Sequence, residues 1–303
     1  MAPPMHPGST TAPPPPLAEV VTALEARYDP ALAEGWDAVG LVCGDPAATV
    51  RSVLFAVDPT AAVVGEAIAA EVDLLVTHHP LLLTPVHGVP ATDPKGRLVH
   101  RLIRAGTGLF VAHTNADRAA GHGVSDALAA ALGLVDTAPL EPVAPGAGLG
   151  RVGRLPEAVS LREFSERVAA ALPGTPGGVR VAGDPGRLVR TVAVCGGSGG
   201  SLLPTAASAG ADVLVTSDLK HHLVSEALEE PGPALCDVAH YASEWPWLPV
   251  AADLLRDDLG NRVRVTVSAE RTDPWAWQVP GRDASGPDVP PPAGRAGPAA
   301  PVG

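Results

Sequence analysis

The chain has 303 residues, a length typical of about two domains, and 46% of them are hydrophobic, which suffices for a sizeable core. The formal net charge is −12 and no cluster of Lys and Arg stands out, which argues against a general nucleic-acid-binding protein and suits divalent cations. Cys43, Cys195 and Cys236 form no CxxC pair, so neither a disulfide framework nor a zinc-thiolate site is predicted, and a reducing cytoplasm is expected.

The two ends of the chain are dominated by proline, glycine and alanine. Such a composition cannot bury enough apolar surface to offset the loss of chain entropy, so disorder is predicted for residues 1–16 and 278–303. No charged segment followed by an apolar run opens the chain, and no apolar run reaches about 18 residues. Neither secretion nor membrane spanning is therefore expected.

Between these ends, short β-rich runs alternate with longer segments rich in alanine and leucine. The runs are VLFAV, DLLVT and GLFVA, followed by TVAVC, DVLVT and ALCDVA. The alternation predicts an α/β fold with sheets flanked by helices. A Gly/Pro-rich stretch from Leu140 to Gly150 predicts the boundary between a first lobe, residues 17–140, and a second lobe, residues 141–277.

Capping residues predict the ends of two helices. The segment DPKGRLVHRLIRAG begins with an aspartate cap and a proline at the first helical position, and it closes with a glycine. Ser160, with Glu163 three residues later, predicts a capping box at the start of a helix over Leu161–Leu172.

The segment DLLVTHHP carries two adjacent histidines at the end of a predicted buried strand. Pro80 ends the strand, and His78 and His79 precede it. The carboxyl ends of strands in α/β sheets are where ligands bind, and neutral imidazoles bind Zn, Fe, Mn or Ni. If the chain turns here, both rings can face one pocket and each can bind its own metal. The alternative is one packed core histidine and one surface histidine.

Two further segments, VAHTNAD and VAHYASE, each place a carboxylate four residues after a histidine. The pairs are His113 with Asp117 and His240 with Glu244. On a helix or turn, a spacing of four residues brings both side chains to one face. A carboxylate beside imidazoles suits a dinuclear hydrolytic site, because its oxygens can bridge two cations. The alternative is a pair of capping or salt-bridging carboxylates.

The chain also contains a diverged internal repeat. The segment that starts at Arg51 aligns without a gap with the segment that starts at Arg190, and Asp73 then matches Asp212. The histidine pair of the first segment corresponds to Ser-Asp in the second. The repeat predicts two similar α/β lobes with a dinuclear metal site between them.

The second lobe carries polar residues at the strand end that corresponds to the histidine pair. In TSDLKHH these are Asp218, Lys220, His221 and His222, which can act in acid-base chemistry or contact phosphate, or can lie on a solvated loop. The CGGSGG segment favours a tight turn over a phosphate cradle, because it matches no phosphate-binding motif. Trp36, Trp245 and Trp247 suit either stacking on a base or a hydrophobic wall behind the metals; the sequence does not assign them.

Seven ordered motifs between about Leu17 and Trp277 resemble one known family. They are GWDAVGLVCGD, DLLVTHHPLL, DPKGRLV, AHTNADRA, CGGSGGS, DVLVTSDLKHH and AHYASE. The chain is similar to the GTP cyclohydrolase 1 type 2 family, also called the NIF-three-like dinuclear-metal proteins. The resemblance implies paired α/β lobes around a two-metal site and assembly as a ring-shaped homohexamer.

The resemblance also implies a ligand set. It makes His78 and His79 ligands to separate metals, Asp117 and His240 ligands to one metal each, and Glu244 the bridge. His113 is not a usual ligand in the family pattern, and we expect it to orient the carboxylate or to gate the pocket. Ala38 replaces the asparagine of the family's WDNVG motif, so a substrate contact through that amide is absent. The ligands do not distinguish Zn, Fe, Mn, Ni and Co.

A metal-dependent hydrolase is the leading hypothesis for the function. The family resemblance implies opening of the imidazole ring of GTP with release of formate. The cysteines, the apolar runs and the net charge add the expectation of a cytoplasmic protein without membrane or nucleic-acid partners. The competing hypothesis is a non-catalytic metal-binding protein that acts as a metal chaperone, a metallocentre-assembly factor or a regulatory scaffold. An open coordination position would favour the enzyme, because catalytic sites keep a place for water.

Overall fold

The computed structural model describes residues 12–279. The ends predicted to be disordered, 1–16 and 278–303, lie mostly outside the described residues. Where they overlap with the described part, the carbonyl of Pro15 accepts a hydrogen bond from the amide of Val50 at 2.9 Å, and Pro16 forms an isolated bridge with Thr49. Backbone pairing therefore begins before the predicted boundary at residue 17.

The chain alternates strands and helices from end to end. The strands are β1 (Gly40–Cys43), β2 (Ser52–Ala56), β3 (Leu74–Thr77), β4 (Gly108–Val111), β5 (Val135–Ala144), β6 (Ala147–Ser160), β7 (Arg180–Ala182), β8 (Leu188–Val194), β9 (Val213–Ser217), β10 (Ala234–Val238) and β11 (Arg264–Val267). The helices are α1 (Leu17–Arg27), α2 (Ala61–Ala69), α3 (Pro94–Ala105), α4 (Thr114–Arg118), α5 (Val124–Ala131), α6 (Leu161–Ala171), α7 (Leu203–Ser208), α8 (His221–Ala227), α9 (His240–Glu244) and α10 (Trp247–Asp258).

The strands form two sheets. The first has the order β1-β4-β3-β2-β11 and the second the order β5-β6-β8-β9-β10-β7. In the first sheet β11, β2, β3 and β4 run parallel, and β1 pairs antiparallel at the edge. In the second sheet β8, β9 and β10 run parallel. All six predicted strand segments fall on strands of these sheets, so the predicted α/β class is confirmed.

Both predicted helices are present. Asp93 caps α3 by accepting hydrogen bonds from the amides of Lys95 and Gly96, and Gly106 ends it with φ 74°. The hydroxyl of Ser160 accepts a hydrogen bond from the amide of Glu163 at 3.2 Å, as a capping box requires. The other half of the box was predicted wrongly, because the Glu163 carboxylate instead pairs with Arg167, one turn further along the helix, at 2.7 Å.

The central strands are buried on both faces, which explains their continuous apolar sequences. Leu74 and Val76 of β3 belong to a core that also contains residues of the second sheet and of α10. Leu75 belongs to a second cluster with residues of α2 and α3. A third cluster packs α7 against the other face of the second sheet. The two sheets therefore share the central core, and helices cover their outer faces.

The sheets divide the chain differently from the predicted lobes. The predicted boundary between residues 140 and 141 falls inside β5, and β5 forms an antiparallel pair with β6. Strand β11 lies within residues 141–277, yet it pairs in parallel with β2, with Val265 opposite Val53. The C-terminal part of the chain thus completes the first sheet.

The aligned repeat segments occupy matching places in the two sheets. In both, the second strand of the segment lies between two parallel neighbours: β3 lies between β2 and β4, and β9 lies between β8 and β10. Asp73 accepts hydrogen bonds from the amides of Arg51 and Ser52 at 2.7 and 3.0 Å. Asp212 makes the equivalent bonds to Arg190 and Thr191 at 2.9 and 2.8 Å. Within residues 12–279, no helix is both long and apolar enough to cross a bilayer.

Candidate metal centre

Four histidines meet where strands of the two sheets end. His78 and His79 follow β3, His113 follows β4, and His240 begins the helix after β10. The ring centroids of His78 and His79 are 5.0 Å apart, those of His78 and His113 5.2 Å, and those of His79 and His240 5.1 Å. The fold thus brings together ring nitrogens from segments that lie up to about 160 residues apart in the sequence, at the carboxyl ends of parallel strands.

The adjacent histidines of the first lobe face one site because the chain turns at the strand end. Their backbone amides still pair with the end of the neighbouring strand, at the carbonyls of Ala56 and Val57. His78 is only 1% exposed, and its Nδ1 lies 2.9 Å from the carbonyl oxygen of Ala112. His79 is partly exposed, and its Nδ1 lies 2.7 Å from a carboxylate oxygen of Asp58. The two imidazoles are therefore held by different partners.

The other two histidines are held by carboxylates. His113 Nδ1 lies 2.8 Å from Asp37 Oδ1, and His240 Nδ1 lies 2.7 Å from Asp218 Oδ2. Since the Nδ1 of every ring faces an acceptor, hydrogen bonding assigns a proton to that nitrogen and leaves Nε2 to face the centre. Metal-binding histidines have this arrangement in proteins, because the outer acceptor fixes the ring and increases its basicity.

Glu244 lies in the middle of the histidines and is only 3% exposed. Its Oε1 is 2.9 Å from His240 Nε2 and 3.5 Å from His78 Nε2, and its Oε2 is 3.2 Å from His79 Nε2. Asp117 joins the group through Oδ1, which lies 3.6 Å from His78 Nε2. The five residues that the sequence predicts as ligands thus converge on one place.

Two atoms of this group are buried without a hydrogen-bond partner among the described residues, His78 Nε2 and Glu244 Oε2. The 3.2 Å approach of His79 to Glu244 Oε2 is within ion-pair distance but does not have hydrogen-bond geometry. A buried polar atom without a partner is costly, and a cation would satisfy both atoms. The donors form two overlapping groups that can each hold a metal ion: His78, His79 and His113, and His79, His240 and Glu244. Nitrogen and carboxylate donors of this kind fit a divalent transition metal.

Charge interactions and burial within the centre shift the pKa values of its histidines and carboxylates. Burial disfavours the charged form of His79, but the charge of Glu244 and the hydrogen bond to Asp58 outweigh it and raise its pKa to about 11. Burial acts in the same way on His240, and its contacts with Glu244 raise the pKa to about 9. Burial works to raise the pKa of Glu244, yet the facing histidines bring that pKa well below its usual value. Burial also raises the pKa of Asp117.

His113 was expected to orient the carboxylate or to gate the pocket. Its ring lies 5.2 Å from that of His78, and its Nδ1 is held by Asp37. Its outer partner, Asp37, also accepts a hydrogen bond from the amide of Thr114 at 3.0 Å. Burial acts against the charge of Asp37, but the contacts with His113 and Thr114 lower its pKa below the usual value. His113 also belongs to one of the two groups of donors that can hold a metal ion, together with His78 and His79.

The remaining polar residues of the second lobe separate into two sets. Asp218 reaches the centre through its hydrogen bond to His240. Lys220 and His222 are exposed at the start of α8, and no hydrogen bond or ion pair joins their side chains to the centre in residues 12–279. Contacts within the described chain therefore do not support a role for Lys220 and His222 as acid-base or phosphate-binding groups at the centre.

The glycine-rich segment forms a tight turn, as the sequence favours. The amides of Gly197 and Gly199 donate to the hydroxyls of Ser243 and Thr216, both at 2.8 Å, so these N–H groups are not free to bind a phosphate. Gly197 has φ 67°, and a Cβ at this position would lie 2.5 Å from Glu244 Oε1 and 3.1 Å from His240 Nε2. The turn thus leaves space for the central carboxylate.

The tryptophans have different environments. Trp247 is fully buried, donates to the hydroxyl of Tyr28 at 3.1 Å, and lies with its ring centroid 5.5 Å from that of His78. It forms the hydrophobic wall that was one of the expected alternatives. Trp36 is exposed, with its ring 6.0 Å from that of His113. Trp245 packs against the main core.

Two of the partners that orient the rings, Asp37 and Asp58, were not predicted from the sequence. Asp58 lies two residues after the end of β2, and Asp37 lies in the WDAVG motif, 76 residues before the histidine that it contacts. An acidic residue just after a buried strand, as in FAVDPT, is the signal that would have identified Asp58.

Comparisons with known proteins agree on one family. The sequence profile of Duf34/NIF3 (NGG1p interacting factor 3) matches residues 15–274. A protein of Streptomyces coelicolor named GTP cyclohydrolase 1 type 2 homolog is 51% identical over 272 residues, which cover 88% of this chain and 95% of the relative. A protein of Mycobacterium bovis with the same name is 39% identical and covers 86% of this chain and 96% of its own. The crystal structure of a Bacillus cereus protein related to NIF3 has the same fold, with a TM-score of 0.81, 24% identity, and coverage of 88% of this chain and all of its own (100%).

Proposed function

The chain belongs to the Duf34/NIF3 family, and from this premise we propose that it is a metal-dependent hydrolase with a dinuclear centre. The observation that supports this most strongly is the buried carboxylate of Glu244 among three imidazoles, with His78 Nε2 and Glu244 Oε2 lacking hydrogen-bond partners in the described chain. A buried carboxylate whose two oxygens face different histidines has the donor arrangement that bridges two cations.

The proposed ligand set follows the positions of the side chains. His78 and His240 approach Oε1 of Glu244, and His79 approaches Oε2. Asp117 lies beside His78. In the proposed set His78 and His79 bind separate cations, Asp117 and His240 each bind one of them, and Glu244 is shared. A pair of cations held here would lower the pKa of a water molecule and polarise the group under attack. The protein residues orient the ligands through Asp58 and Asp218 and exclude bulk water through the buried wall formed by Trp247.

We propose a guanine nucleotide as the substrate, with hydrolytic opening of its imidazole ring and release of formate. The support is the name of the relatives, GTP cyclohydrolase 1 type 2 homolog, together with the partial exposure of His79 and His240, which leaves a route to the centre. The homohexamer that the family resemblance implies remains part of this proposal, and light scattering of the purified protein would measure its mass.

A non-catalytic metal-binding protein is the second candidate. The near-complete burial of His78 and Glu244 favours it, because non-catalytic structural sites are closed and have their coordination positions filled by protein groups.

Metal content tests the centre itself. Untagged wild-type protein is expected to hold about two metal ions per chain by elemental mass spectrometry, and Glu244→Ala to lose most of them. Glu163→Ala is the matched control, since this carboxylate is exposed and pairs only with Arg167. One ion or none in the wild type, unchanged in Glu244→Ala, would overturn the dinuclear centre.

Formate release separates the two candidates. Protein loaded in turn with Zn, Mn, Fe, Ni or Co is incubated with GTP, and formate is measured with formate dehydrogenase. Metal-dependent formate that is lost in Glu244→Ala supports the enzyme. Full metal content with no formate from any loaded form favours the metal-binding candidate.

A further inference from the structure

A cavity opens beside the metal centre, with a volume of about 380 Å³. His240 and Asp218 form part of its wall, so it shares side chains with the centre. Its other walls come from residues 176–178, Arg180, residues 237–239 and the segment 273–278. The volume lies within the range of about 300–1,000 Å³ typical of small-molecule sites.

The segment that forms the outer wall is fixed to the metal centre. It follows β11 without regular secondary structure. The amide of Ala269 donates to Glu66 at 3.1 Å, and Thr272 donates its hydroxyl hydrogen to Asp58, whose other carboxylate oxygen holds His79. The residues that follow Thr272 therefore have a defined position relative to the histidines.

Two tryptophans of this segment line the cavity with largely exposed rings. Trp275 is 71% exposed and Trp277 is 77% exposed. An indole offers a large flat apolar face, and stacking a planar ring on it removes that face from water. A cavity with two such faces suits a flat aromatic ligand.

The polar groups of the cavity select the chemistry of that ligand. Three of them are carboxylates, Asp218, Asp237 and Asp273, which accept hydrogen bonds. The single Arg in the wall, Arg180, already pairs with Asp237. A polyphosphate would meet mostly negative charge here, whereas a ring with N–H and amino donors would meet acceptors.

We infer that this cavity binds the base of the substrate, as an amino-substituted purine held between Trp275, Trp277 and the carboxylates, with its phosphates outside. The inference rests on the proposed function, because it takes the nucleotide to be the substrate of the adjacent centre. It assigns Trp275 and Trp277 to base stacking, and it predicts that the nucleoside alone carries most of the recognition by this cavity.

Binding of nucleosides to the metal-free protein tests the inference independently of catalysis. The probes are guanosine and inosine, which differ by the 2-amino group, added to Glu244→Ala protein while the tryptophan fluorescence is recorded. We expect guanosine to quench the emission and to bind more tightly than inosine. We expect Trp275→Ala and Trp277→Ala, in the same background, to weaken guanosine binding by about tenfold or more.

Trp36→Ala is the matched control, because Trp36 is also exposed and also near a histidine of the centre, but it does not line the cavity. Its guanosine affinity should be unchanged. Equal weakening in all three variants, equal affinity for guanosine and inosine, or no binding of either would each overturn the inference. So would a change of molecular mass in Trp275→Ala by light scattering, since it would place the indole in a subunit interface.

The outcomes separate the inference from the proposed function. If tryptophan-dependent guanosine binding is present but no metal yields formate, the proposed reaction falls and the base-binding cavity stands. If formate is released and the KM for GTP is the same in wild type and Trp277→Ala, the reaction stands and the cavity assignment falls.

Discussion

The ends of β3 and β9 occupy matching places in the two sheets and contribute to the centre in different ways. Both strands lie in the middle of three parallel strands, and both follow an aspartate that holds two backbone amides of the preceding strand. After β3 the chain presents His78 and His79. At the corresponding positions it presents Ser217 and Asp218, and these bond to residues of α9: Ser217 to Ser243 at 3.0 Å and Asp218 to His240 at 2.7 Å.

This difference shows that a shared framework can supply the proposed ligands at one strand end and supporting contacts at the other. The first-lobe end carries imidazoles directly into the centre. The second-lobe end holds the helix that carries His240 and Glu244. The centre is therefore asymmetric, although the strands around it are arranged alike, and variants at matching positions should have unequal effects.

The largest effect is expected from exchanging the residue types of the two strand ends. His78→Ser places the second-lobe residue at the first-lobe position, removes a buried imidazole, and should lower the metal content from about two ions per chain to about one or fewer. Ser217→Ala removes only a hydroxyl contact with Ser243 and should leave the metal content unchanged. Elemental mass spectrometry measures both. Equal losses in the two variants would contradict the division between ligands and supports.

The next effect concerns the space around Glu244. Gly197→Ala should weaken metal binding strongly, because the new Cβ would overlap Glu244 Oε1 at 2.5 Å. Gly210→Ala is the matched control: Gly210 has a similar φ of 69° but nothing within 4 Å of the added Cβ. Both variants should lose about 1–2 kcal/mol of unfolding free energy through the left-handed backbone.

Titration with a competing chelator and urea denaturation would separate the two contributions. If Gly210→Ala weakened metal binding as much as Gly197→Ala, backbone strain alone would explain the loss. The steric role of the glycine turn would then be wrong.

The smallest effect is expected from the residues that orient the rings. Asp58→Asn and Asp218→Asn keep the shape of each side chain and remove the charge beside His79 and His240, so each should lower metal affinity by about 10–100-fold. We expect Asp58→Asn to be the more severe, because the side chain of Asp58 is 27% exposed and that of Asp218 is 57% exposed. A chelator titration ranks the two, and the reverse order would show that the second-lobe support is the more important.

Much of the fold could be predicted because its signals are local. The apolar runs place the six central strands, and the aspartate cap and closing glycine place α3. Strand β11 was not predicted to join the first sheet, since its pairing with β2 joins residues more than 200 positions apart and depends only on packing. The boundary at residue 140 was predicted from a Gly/Pro-rich stretch. In the structure this stretch contains the turn between β5 and β6.

The residue types available to the centre can be read from short segments, because HHP and the two histidine-carboxylate pairs are local patterns. Which of these residues meet depends on how distant segments pack. The tertiary structure brought Glu244 to His78 and His79, gave the rings Asp37, Asp58 and Asp218 as partners, and left Lys220 and His222 exposed. The physical reason is that distances between segments are set by how two sheets pack around a common core, and no local pattern in the chain encodes that packing.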